Sequence, residues 1–137
     1  MKKVLSFLML VLIISVTFSS CKKDENEEPQ VTVEKWLLDK AELRAFDSGG
    51  SLLDSLTDSS FTANDYLALQ SNGQFQWVTD GQVINGAYKI ENSVLYLSNQ
   101  TGSLQASILQ KSTSEFTFFW DEVSIDSRIR YTFFYKL

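Results

Sequence analysis

Catalysis needs side chains that hold a proton, a metal or a transient bond, and this 137-residue chain carries few of them. Histidine is absent, which removes the commonest general base and metal ligand. Without it neither a Ser-His-Asp nor a Cys-His arrangement can be assembled, and with a single cysteine, Cys21, no disulfide can form within the chain. No glycine-rich phosphate loop is present. Carboxylates remain: Glu115, Asp121, Glu122 and Asp126 gather late in the chain, and Asp47, Asp54, Asp58 and Asp65 in its middle. A glycosidase pair needs a defined carboxyl separation, and calcium needs a regular ligand spacing that these positions lack. They read as turn and solvent-facing acids. The expectation is a protein without catalytic residues, metal or cofactor.

Binding chemistry is better represented. Trp77, Tyr88, Phe118, Trp120, Tyr131 and Phe133 fall in the apolar phases of alternating segments, as does Tyr135. Aromatics so placed either plug a barrel interior or line a pocket at its mouth. Phe119 and Phe134 lie on the opposite phase and suggest a second apolar surface, against the long 46–65 loop or a partner protein.

The elements that would position these residues follow a leader and a tether. Met1-Lys2-Lys3 is a basic start, Val4 to Val16 is almost wholly apolar, and Ser19 and Ser20 are small, which is the layout of a secretory signal peptide over residues 1–20. The apolar run is short for a membrane span, and no later stretch is long or apolar enough for one. Cys21 follows at once. A lipid thioether needs sulfur at that place, whereas ordinary cleavage does not. Residues 21–32 carry charge and almost no apolar side chain, so they form a solvated tether. Removing Lys2 and Lys3 with the leader leaves 10 basic against 17 acidic residues. Such an acidic chain, with no basic stripe, argues against nucleic acid as a partner.

From residue 33 to 137 the pattern is all-β. A first, bent strand is expected over Lys35–Arg44. Residues 46–65 read as a long loop, with a turn at Asp47-Ser48-Gly49-Gly50 and one helical turn around Leu52–Leu56, suited to a partial lid. Strands then come quickly: 66–70 and 74–79 around Asn72-Gly73, 82–91 after Asp80-Gly81, then 94–98, 104–110, 115–121 and 128–137. Eight strands with short links fit an up-and-down meander that closes into a barrel; a two-sheet sandwich is the alternative and needs longer crossovers.

Two resemblances add to this. Phe18-Ser19-Ser20-Cys21 resembles the lipobox of bacterial lipoprotein precursors, with Phe18 where an aliphatic residue is usual. This implies a diacylglycerol on Cys21 and a stable outer-membrane anchor. Lys23-Asp24-Glu25 resembles the export signal of Bacteroidetes-type surface lipoproteins, implying cell-surface display; an anchor facing the periplasm stays open. Trp36, then Leu69-Gln70-Ser71-Asn72-Gly73-Gln74-Phe75, Gly86-Ala87-Tyr88 and Leu95-Tyr96-Leu97, together resemble the lipocalin-like domain of Bacteroidetes-type lipoproteins. Lipocalins carry glycine where this chain has Glu34, and their late arginine on the first-strand tryptophan has its counterpart in Arg128 or Arg130. The resemblance implies a barrel with an apolar-ligand cavity. Function is then expected as binding of a small apolar or amphipathic ligand. The alternative is a surface interaction module with a filled core and no small-molecule ligand.

Overall fold

Alternating segments joined by tight turns pair with their sequence neighbours, because each turn delivers the next strand beside the last. The computed structural model describes residues 29–137, so the leader, Cys21 and Lys23-Asp24-Glu25 lie outside the described residues. It contains nine strands: β1 (Val33–Asp47), β2 (Leu52–Asp58), β3 (Tyr66–Gln70), β4 (Gln74–Thr79), β5 (Gln82–Glu91), β6 (Val94–Asn99), β7 (Gly102–Lys111), β8 (Glu115–Val123) and β9 (Ser127–Lys136). All neighbours are antiparallel, and β9 returns to pair with β1. The result is an eight-stranded up-and-down barrel, β1-β3-β4-β5-β6-β7-β8-β9, with β2 as one additional strand.

β2 corrects the expected loop and its helical turn. Asp47 closes the turn by accepting the Ser51 N–H on its side chain at 2.8 Å, and Gly50 takes φ +84°. The chain then folds back so that Leu56 lies opposite Leu43 and Asp58 opposite Ala41. Every β2 residue is exposed, so neither face imposes the alternation by which a strand is recognised in a sequence. What remains of the loop is the link 59–65, which leads to β3 on the same edge of β1.

β1 is bent as expected, by a bulge between Leu38 and Lys40 opposite β9, but it runs longer than Lys35–Arg44. Before the bulge Trp36 and Leu38 point inward; after it the register places Ala41 opposite Phe133 and Leu43 opposite Tyr131. The barrel floor is solid. Trp36, Leu67, Leu95, Phe116, Phe118 and Tyr135 are all less than 2 % exposed. Phe116 sits 5.6 Å from Trp36 and 5.4 Å from Phe118, and Phe118 stacks on Tyr135 at 5.6 Å. Each such side chain contributes roughly 1.5–3 kcal/mol of apolar burial.

The outer face is covered differently. Phe119 lies beneath the Arg130 guanidinium at 4.0 Å, and Phe134 beneath the Lys40 ammonium at 4.1 Å. The second apolar surface expected from these two phenylalanines is therefore roofed by cations. Arg128 lies over Phe46 at 4.6 Å. The cation nearest Trp36 is Lys111, 5.5 Å from its ring and 3.1 Å from Glu34, so neither Arg128 nor Arg130 occupies the place of the lipocalin arginine.

Candidate functional site

The two ends of the barrel are built unequally, and the register shows why. β7 pairs with β8 only from Ser107 opposite Phe119 to Lys111 opposite Phe116. Beyond Phe119, β8 pairs with β9 alone, and before Ser107, β7 pairs with β6 alone. On the other side β2 pairs with β1 and not with β4. At the end carrying the β1–β2, β4–β5, β6–β7 and β8–β9 turns, the barrel thus divides into two walls. One is β2-β1-β9-β8; the other is β4-β5-β6-β7.

The period-2 geometry of strands fixes which residues face the gap. On the first wall Trp120 pairs with Tyr131, and the rings stack at 5.2 Å and 15°. Trp120 also stacks on Phe133 at 5.1 Å and 10°. These three are half-buried, so the ladder keeps part of its surface free. From the second wall Trp77 meets it edge-on, 6.2 Å from Trp120 and 5.5 Å from Phe133. Trp77 is 9 % exposed and forms the floor of the mouth.

Two clefts open above this floor. One, of about 300 Å³, lies at the seam beside β2 and includes Leu43, Leu56, Phe61, Thr79, Tyr131 and Phe133. The other, of about 220 Å³, lies against the second wall among Phe75, Trp77, Ile84, Leu97 and Leu104. They lie at and below the lower end of the about 300–1,000 Å³ typical of sites that enclose a whole drug-sized ligand. They suit a ring or a single alkyl tail.

Asp65 pins the 59–65 link that carries Phe61. Its carboxylate accepts the Thr62 N–H at 2.8 Å, the Thr62 hydroxyl at 3.1 Å and the Asp80 N–H at 2.9 Å, while its backbone carbonyl accepts the Leu38 N–H at 2.9 Å. The Thr62 N–H, with the Asp80 N–H beside it, holds the Asp65 carboxyl below the ordinary carboxylate range. The link is thereby tied to the β4–β5 turn at the rim.

Beneath the mouth two polar atoms are buried without a hydrogen-bond partner among the described residues, the Trp77 indole N–H and the Tyr135 hydroxyl. Burial pushes the Tyr135 hydroxyl far above its ordinary value, and the Trp77 side chain beside it acts in the opposite direction.

Of the aromatics singled out from the sequence, Trp77, Trp120, Tyr131 and Phe133 converge on the mouth. Phe118 is wholly buried in the floor, and Tyr88 lies toward the opposite end, its hydroxyl donating to the Gln70 carbonyl at 3.0 Å. The late acids are separated by the strand they occupy. Glu115 lies at the closed end. Asp121 points outward into a fork from Arg130, with bonds of 2.7 and 2.9 Å that hold its carboxyl below the usual range. Glu122 points inward and accepts the Tyr131 hydroxyl at 3.2 Å. Phe61, Leu43 and Leu56 were missed as lining residues. Phe61 offered one signal, an isolated aromatic between Ser59-Ser60 and Thr62 that only an anchored link would need.

No family model, curated protein or solved structure matches the chain.

Proposed function

We propose that this protein is a lipid-anchored binding protein of the outer membrane, whose barrel mouth holds a small apolar or amphipathic ligand. The observation that carries the reading is the half-exposed Trp120–Tyr131–Phe133 ladder facing Trp77 across two clefts. Partly exposed, mutually stacked aromatics beside concave apolar surface are what a ligand's ring or tail would cover. The filled floor limits the ligand to the rim side of Trp77. Attachment through Cys21, export through Lys23-Asp24-Glu25 and the kinship to lipocalin-like lipoproteins belong to the same proposal and rest on the sequence. The proposed role is binding, and the aromatic mouth supports it.

Native mass spectrometry of the protein purified from its own cell tests this. A co-purified small molecule that is lost in Trp120→Ala, with the melting transition retained, is the expected result. The second reading, an interaction module, draws on exposed Leu53, Val123 and Ile125, the last 96 % exposed at the β8–β9 turn. It expects no bound small molecule and no effect of Trp120→Ala on composition.

A further inference from the structure

The ionised groups of this chain are sorted about the mouth in a way that specifies more than an apolar ligand. The cleft beside β2 is lined by Asp58 and Asp80 together with its apolar residues, and Glu122 stands on the same inward face as Trp120. Among the described residues no lysine or arginine lies within ion-pair distance of these three carboxylates. The cations of this half all sit on the outer face and are engaged there. Lys40 and Arg44 flank Glu42 at 3.0 and 2.9 Å, Arg130 grips Asp121, and Arg128 covers Phe46. Glu42, although it borders the cleft, is thus neutralised from outside.

Asp58 is kept ionised by the Ser60 N–H at 2.9 Å and the Ser60 hydroxyl at 2.7 Å, which hold its carboxyl below the ordinary range. The inner surface therefore combines aromatic faces with uncompensated negative charge. Aromatic faces attract cations through the ring quadrupole and attract apolar tails by burial. An anionic head placed there would meet like charge from Asp58 and Asp80.

We propose that the mouth selects amphiphiles with a cationic head, such as an organic ammonium, the tail lying on the Trp120–Tyr131–Phe133 ladder and the head beside Asp58 and Asp80. This rests on the reading of the mouth as a binding site and names the chemistry of its ligand.

The test uses isothermal titration of the full chain carrying Cys21→Ser, so that no lipid on sulfur competes for the cleft. Three probes share a decyl tail and are kept below micelle formation: decyltrimethylammonium, decyl maltoside and decyl sulfate. At low salt the ammonium is expected to bind about tenfold tighter than the maltoside, the combined yield of one cation–aromatic contact and one or two partly solvated ion pairs. Decyl sulfate is expected to bind more weakly than the maltoside. The gap between ammonium and maltoside narrows at high salt, because these charges are solvent-accessible. It also closes in Asp58→Asn/Asp80→Asn, with circular dichroism melts confirming that the variant folds. Equal affinity for ammonium and maltoside, or a preference for the sulfate, overturns the cationic head and leaves the mouth as a binding site. Binding of none of the three overturns the mouth reading and this inference with it.

Discussion

The closed end and the mouth of this barrel are made from the same strands and the same residue types, yet they are packed to opposite purposes. At the closed end Trp36, Phe116, Phe118 and Tyr135 are sealed on all sides. A few residues along the same strands, Trp120, Tyr131 and Phe133 stack in a comparable ladder with part of each ring left open. The difference is made by strand pairing, not by composition. Where β7 and β8 stay hydrogen-bonded the interior closes; where they part, the aromatics meet the edge of Trp77 and keep part of their surface open. An aromatic phase in a strand therefore identifies the inner face but not the depth.

Five perturbations would break or sharpen that contrast. Trp36→Ala should cost about 3–5 kcal/mol, because a sealed site cannot collapse around the cavity. A loss under 1 kcal/mol in a denaturant titration would mean that the floor is not the stabilising core. Gly86→Ala comes next. A Cβ there would stand 2.1 Å from the Ser98 carbonyl oxygen and 2.8 Å from a Phe75 ring carbon, so the β5–β6 pair must shift. Overpacking of this kind costs about 1–3 kcal/mol, readable as a lower denaturant midpoint. Trp120→Ala should be milder, about 1–2 kcal/mol, since its ring is already partly hydrated. If it unfolded the protein as Trp36→Ala does, the mouth would be core by another name.

Acid should loosen the mouth through Asp65. Its folded pKa is depressed by the Thr62 and Asp80 N–H bonds, so its contribution is complete above the ordinary value of 3.8. It is lost as pH falls from there through the lower folded value. Wild-type melting temperature should drop over that range, and Asp65→Asn should start lower and show a shallower drop. Parallel curves would release Asp65 from the role of a strap. The smallest effect belongs to the closed end. Asn92 and Ser93 turn β5 into β6 with φ of +51° and +61°, a conformation that side chains resist. Ser93→Gly should relieve this and stabilise by about 0.5–1 kcal/mol without touching the mouth.

Much of the barrel was legible in residue order. Asn72-Gly73 and Asp80-Gly81 mark hairpins whose positive φ angles the structure contains, and β3, β4 and β5 begin and end where alternation and turns place them. β2 was not legible, because Leu52, Leu53 and Leu56 are exposed and no buried face imposes a period on them. The site was legible in part. The alternation on β8 separates Asp121 from Glu122 and aligns Trp120 with Phe118, but nothing in it says that Phe118 is sealed while Trp120 is half open. That depends on where β7 leaves β8, a register set between distant segments. The roofing of Phe119 and Phe134 by Arg130 and Lys40 was hidden for the same reason, since each cation arrives from a neighbouring strand.

The three tryptophans of the chain provide the most direct measurement, because one lies in the sealed floor and two at the mouth. In a proton–nitrogen correlation spectrum, titration with decyl maltoside should move the indole N–H signals of Trp77 and Trp120 and leave that of Trp36 in place. If Trp36 moved with them, or if none of the three moved, the division between a solid floor and a binding mouth would be contradicted.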